Sequence, residues 1–168
     1  MYNFPIGVIL ESFKLSRSEA IKKAASMGAK GIQMYATQGE NSPENLNLAQ
    51  RKALLDEVKS NGLVFSALCG DLGKGFGNRE LNPELIEKSK RIVDLALDLD
   101  TKIVTTHIGV VPTDKSIDRY KIMQEACFEL ANYADSVGAH FAIETGPETS
   151  ANLKEFRRTW FYRCCSKP

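Results

Sequence analysis

Five residues of this chain stand where chemistry is usually done. They are Glu11, Tyr35, Cys69, His107 and Glu144, and each follows or ends a short apolar run that reads as a strand. The clearest case is VGAHFAIETGPETS, residues 137–150. The apolar Phe141-Ala142-Ile143 stops at Glu144, a Thr-Gly-Pro turn follows, and Thr149 or Ser150 can cap a new helix. Lys102–Thr106, KIVTT, stops in the same way at His107. A carboxylate and a neutral imidazole on neighbouring strand ends can share a divalent cation or form a general acid–base pair. Set against this is the plainer reading of a polar strand end as a solvated side chain or a helix cap. Cys69, at the end of an apolar strand, reads as inert packing rather than as a nucleophile.

The elements that must position these groups repeat. Apolar runs at Ile6–Leu10, Gly31–Tyr35, Leu63–Cys69, Lys102–Thr106 and Phe141–Ile143 alternate with segments of helical period. Ser26-Met27-Gly28, Ser60-Asn61-Gly62 and Ser136-Val137-Gly138 each close a helix just before a strand. Ser16 with Glu19 and Asn47 with Gln50 have the spacing of capping boxes, and Asn82-Pro83 reads as a cap followed by proline in the first turn. Ile21, Ala24, Ala25 and Gly28 are expected on one buried face, and Leu48, Leu54, Leu55 and Val58 on another. Tyr120, Met123, Cys127, Leu130, Ala131 and Ala134 mark a third. The fold class predicted is α/β, with parallel β-α repeats joined by right-handed crossovers. Five such units make either a doubly wound sheet or part of an eight-stranded barrel. In both, the C-terminal strand ends carry the site.

Composition narrows the function. The chain has 168 residues, with 22 Lys and Arg against 21 Asp and Glu, a formal charge of +1. No overall field draws it to nucleic acid or membrane. No apolar run is long enough to span a bilayer, and the N-terminus lacks the pattern of a signal peptide. Its four cysteines form neither a disulfide framework nor a CxxC pair, so a reducing cytoplasm is the expected setting. Gly73-Lys74-Gly75-Phe76-Gly77 lacks the spacing of a phosphate loop and reads as a flexible loop whose Lys74 can meet a sugar phosphate.

The order of IGVIL, GAKGIQMY, KIVTTHIG and AIETGPETSANLKEF resembles the sugar phosphate isomerase/epimerase family, whose members have a xylose-isomerase-like TIM barrel. The resemblance implies a partial (β/α)8 barrel over residues 1–156, a small-molecule sugar or sugar phosphate as substrate, and a divalent metal, Mn²⁺, Mg²⁺ or Zn²⁺. It implies that Glu144 is metal ligand and proton-transfer residue, and that His107 lines the site. Gln33 and Glu148 are expected to face the site region, and Glu11 and Lys74 are further candidates for substrate contact. The family takes additional ligands, an aspartate, a histidine and a glutamate, from strands six to eight, which are not in this sequence. Residues 157–168, RRTWFYRCCSKP, show no helical stripe and are expected to break the preceding helix, as a truncated or frame-shifted tail or as a natural short form. The expectation is therefore an incomplete, silent site. The alternatives are a metal phosphodiesterase like the apurinic-site endonucleases and a non-catalytic half-barrel that associates, with itself among others, through its open sheet edge.

Overall fold

The computed structural model describes residues 4–144 and 146–164, with the backbone alone for 159–164. Its elements follow in strict alternation. They are β1 (Gly7–Ile9), a 3-10 turn (Leu10–Phe13), α1 (Arg17–Ser26), β2 (Gly31–Tyr35), a 3-10 turn (Gly39–Asn41), α2 (Leu48–Ser60) and β3 (Val64–Cys69). Then come α3 (Asn82–Asp98), β4 (Ile103–Thr106), α4 (Asp118–Ser136), β5 (His140–Ile143) and α5 (Ser150–Cys164). The strands form one sheet in the order β1-β2-β3-β4-β5, with every neighbouring pair parallel. A doubly wound sheet would place β1 inside the sheet; the sequential order is that of a barrel wall. The parallel direction of every pair puts the C-terminal ends of all five strands along one edge.

Local sequence chemistry sets the turns. Both capping boxes form: Ser16 with Glu19, and Asn47 with Gln50, where Gln50 N donates to Asn47 Oδ1 at 3.0 Å and Asn47 N to Gln50 Oε1 at 2.9 Å. The three glycines that precede strands, Gly28, Gly62 and Gly138, all have φ between +71° and +82°, a conformation other residues adopt only at a cost.

The core lies between the helices and one face of the sheet. Ile32, Met34, Leu68 and Val104 project from the strands onto Ile21, Ala24, Val58, Ile92 and Val93, all of them buried. A second cluster joins Phe76, Ile108, Tyr120, Met123 and Leu130 to Phe156 on α5, whose ring meets Tyr120 edge-on at 5.2 Å. The opposite, concave face carries Ile9, Gln33, Tyr35, Val64, Ile103 and His140, and its apolar members are exposed, Val64 at 56%. In a closed barrel that face is the interior.

Several local expectations need correction. β1 is shorter than Ile6–Leu10, because the chain turns into a 3-10 helix at Leu10. Leu48, as the first residue of α2, is 74% exposed rather than part of the buried stripe. Gly28 lies past the end of α1 and is exposed, so it takes no part in that helix's buried face. Asn82 is not a cap. It is the first residue of α3, buried, and donates from Nδ2 to the Phe76 carbonyl at 3.0 Å. The helix begun at Ser150 does not stop at Phe156 but continues to Cys164, since backbone hydrogen bonding needs no apolar stripe to propagate. Of residues 157–168, the side chains from 159 onward lie outside the described residues.

Candidate active site

Register brings the pair together. Ile103, Val104, Thr105 and Thr106 oppose His140, Phe141, Ala142 and Ile143, and Glu144 N donates to the Thr106 carbonyl at 2.9 Å. His107 and Glu144 are therefore the first residues past β4 and β5, side by side at the C-terminal edge. His107 Nε2 lies 3.0 Å from Glu144 Oε2, and the two side chains are 51% and 52% exposed. A carboxylate at this distance from an imidazole can hold it as an ion pair, exchange a proton with it, or grip a polar ligand jointly with it.

The other strand ends are used differently. Glu11 lies on the 3-10 turn after β1, and its Oε1 accepts a hydrogen bond from Tyr35 N at 2.9 Å. This ties the tip of β1 to that of β2. Its Oε2 is buried without a protein partner. Cys69 ends β3 half-buried. Burial pushes its thiol pKa up, the charges of Asp71, Glu144 and Glu11 act in the same sense, and a backbone hydrogen bond at Asp71 opposes them. The thiol thus stays protonated, as expected of packing rather than of a nucleophile.

Gln33 is on the concave face, one layer below these tips, but its amide is engaged. Nε2 donates to Thr105 Oγ1 at 3.1 Å, reaching over β3. Ala67, in register with Gln33, leaves room for that reach, next to a bulge where Ser66 is the extra residue. Gly7 and Gly31 face the bulge: a Cβ on Gly31 would lie 3.3 Å from Ser66 Cβ, and one on Gly7 3.6 Å from Ser66 Oγ. Glu148 folds back on its own loop, accepting from Gly146 N at 2.7 Å, with its other oxygen buried and unpartnered. Lys74 lines a neighbouring cleft to which neither His107 nor Glu144 contributes. His140 begins β5, at the opposite end from His107, so the two histidines do not meet as a histidine-rich phosphodiesterase site would require.

The structure thus brings His107 and Glu144 together and leaves Glu11, Gln33, Lys74 and Glu148, all expected near the substrate, each with a separate partner or place. The sequence reading missed Thr105, which engages Gln33, and Asp71, which faces Cys69. A hydroxyl at period two from His107 was the available signal for Thr105; nothing marked Asp71.

A family model of the xylose isomerase-like TIM barrel matches residues 21–160, most of the chain. The chain belongs to the xylose isomerase-like TIM barrel family. No curated protein matches its sequence. Among solved structures, a xylose isomerase domain protein from Planctomyces limnophilus superposes with a TM-score of 0.78 at 20% identity, covering 94% of this chain and 59% of that one. A 3-keto-D-glucoside 4-epimerase from E. coli gives 0.73 at 13% identity, over 95% of this chain and 65% of that one. A xylose isomerase-like TIM barrel protein from Mycobacterium smegmatis, in complex with magnesium, gives 0.68 at 14% identity, over 96% and 63%. The chain spans about three fifths of the length of each of these three structures.

Members of the xylose isomerase-like family commonly bind divalent metals. Carboxylate and imidazole are suitable donors for such an ion. Among the described residues, however, no group of three or more His, Cys, Asp and Glu side chains is placed to hold one. His107 and Glu144 make a two-donor fragment, which does not by itself define a metal centre. Among the described residues no helix is long and apolar enough to cross a membrane.

Proposed function

We propose that this chain carries part of a sugar or sugar phosphate isomerase/epimerase site, with Glu144 as the proton-transfer residue and His107 as its partner. The observation that carries the reading is the 3.0 Å pair at the C-terminal edge of a parallel sheet of this family. Glu144 takes a proton from a sugar carbon beside a carbonyl and returns it on the same face to the neighbouring carbon, which moves the carbonyl. Inversion of the centre would need a second acid on the opposite face of the sugar. His107 donates to the substrate oxygen on which negative charge develops. A divalent metal, Mn²⁺, Mg²⁺ or Zn²⁺, would polarise that oxygen as a Lewis acid, with Glu144 as the ligand this chain offers it.

Two donors also fix the expected behaviour of the chain on its own. Tight sites use three or more protein ligands in set geometry. Calorimetric titration with Mn²⁺ should show binding weaker than micromolar, diminished by Glu144→Gln. Deuterium exchange from solvent into a panel of ketoses and pentulose phosphates should stay at background. Micromolar metal binding with measurable exchange would show a complete enzyme; metal binding untouched by Glu144→Gln would remove Glu144 from the site. A second reading, a non-catalytic module that associates with another copy, is favoured by the exposed Val64, Ile103 and Ile9 on the concave face. Sedimentation as a monomer at high concentration would discard it.

A further inference from the structure

The loops after β2 and β3 enclose a cleft of about 460 Å³ at the same edge of the sheet as His107 and Glu144. Its size falls in the ~300–1,000 Å³ range of small-molecule sites. A second lobe of about 330 Å³ shares Thr37, Gln38, Leu72 and Lys88 with it, so the two form one groove. The groove adjoins the pair through the chain itself. Lys74 precedes Gly75, which packs against the Ile108 carbonyl, and Phe76 N donates to that carbonyl at 2.9 Å. Ile108 is the residue after His107.

The charges of the groove cancel. Lys88 is held by Glu84 at 2.5 Å, and in the second lobe Arg91 faces Glu44 at 3.5 Å. That leaves the Lys74 ammonium and the Asp71 carboxylate, one of each sign, and Asp71 gives one oxygen to Gly73 N at 2.8 Å. A phosphate would gain one cation and meet the repulsion of Asp71, so the groove offers no anion site. What it does offer is a set of uncommitted polar groups: the Thr37 hydroxyl, the Gln38 amide, the second Asp71 oxygen and the Lys74 ammonium. These include both donors and acceptors, and Leu72 and Leu85 line the same cleft. Such a combination matches a sugar ring, which has hydroxyls at its rim and C–H groups on its face.

We propose that this groove is a subsite for a second, uncharged sugar unit linked to the reacting one, so that the substrate class is a neutral glycoside rather than a phosphorylated monosaccharide. The proposal rests on the sugar-site reading above. The test is calorimetric titration of the whole chain with D-glucose, cellobiose, maltose and D-glucose 6-phosphate, on wild type, Gln38→Ala, Lys74→Ala and Glu144→Gln. One or two added hydrogen bonds should make a disaccharide bind about tenfold tighter than glucose. Gln38→Ala and Lys74→Ala should erase that increment, and both positions are exposed enough to be replaced without unfolding. Glu144→Gln should leave it intact, because the increment belongs to the groove and not to the pair. Equal binding of mono- and disaccharides, absence of binding by all four, or preference for glucose 6-phosphate would each overturn the subsite. Failure of the proton-transfer reading appears separately, as Mn²⁺ binding that Glu144→Gln leaves untouched while the disaccharide increment persists.

Discussion

Replacing Gly75 by alanine tests whether the loop after β3 is seated on the loop after His107 by close backbone approach. Gly75 has φ +59°, and an added Cβ would lie 2.7 Å from the Ile108 carbonyl oxygen, 2.9 Å from Gly109 Cα and 3.0 Å from Gly109 N. All three are backbone atoms, so no flexible side chain can yield. The left-handed conformation costs alanine roughly 1–2 kcal/mol. Separating the two loops adds the loss of the Phe76 N to Ile108 hydrogen bond, about 1 kcal/mol, and overpacking of about 1–3 kcal/mol. The lower entropy of the unfolded alanine chain returns ~0.4–1 kcal/mol. The expected loss is about 3 kcal/mol. Gly73 supplies the control. Its φ is +70° but a Cβ there meets nothing within 4 Å, so Gly73→Ala should cost ~1 kcal/mol, the conformational part alone. Urea unfolding followed by circular dichroism separates the two. With a slope of ~2 kcal/mol per molar, the midpoint should fall by about 1.5 M for Gly75→Ala and by about 0.5 M for Gly73→Ala. Amide shifts of His107 and Ile108 should move only in the first. Equal losses would refute the argument, since they would mean that backbone conformation, and not the approach of the two loops, sets the cost.

Two further outcomes follow from the packing and the charges. Phe156→Ala should destabilise by about 3–5 kcal/mol in the same urea assay, because its ring is fully buried against Tyr120; a loss under ~1 kcal/mol would mean that α5 is not part of the core. Tyr133 donates to Asp94 Oδ1 at 2.6 Å, and this hydrogen bond, with burial and the Asp94 charge, pushes its pKa up to about 12. A raised folded-state pKa means stability that is complete below the ordinary tyrosine value near 10 and lost as pH rises toward 12. Tyr133→Phe should flatten that alkaline decline, leaving the part due to the buried Cys127 thiol, which burial also pushes up; an unchanged slope would remove Tyr133 from it.

The frame was legible because local rules and global pattern agreed. Ser16 and Glu19, Asn47 and Gln50, and the glycines before β2, β3 and β5 do what their chemistry dictates regardless of distant contacts. The stripe Leu85, Ile86, Ser89, Ile92, Val93 and Ala96 is buried as its period requires. The errors lie where position within an element overrides residue type. Leu48 is apolar but opens a helix, and Asn82 has the chemistry of a cap but is drawn inward by the Phe76 carbonyl. A bulge such as that at Ser66 leaves almost no mark in one strand's own sequence, since it is a relation between two strands.

The same distinction explains the site. Position alone groups Glu11, Cys69, His107 and Glu144, because each follows or ends an apolar run. Hydrogen bonding makes them unequal. Glu11 lies on a 3-10 turn rather than on the strand itself, which carries its carboxylate toward Tyr35 N and commits one oxygen to the scaffold. Cys69 is enclosed enough for burial to hold its proton. Gln33 is consumed by Thr105 in bracing β2 to β4 across β3. Only His107 and Glu144 among these remain half-exposed and paired with each other. Residue type at a strand end nominates a functional group; whether the backbone around it has already claimed its lone pairs and protons decides if it stays available for a substrate. By that criterion Glu144 keeps its carboxylate half-exposed and paired with His107, while Glu11 commits one oxygen to holding the first two strand ends in line and keeps the other buried without a protein partner.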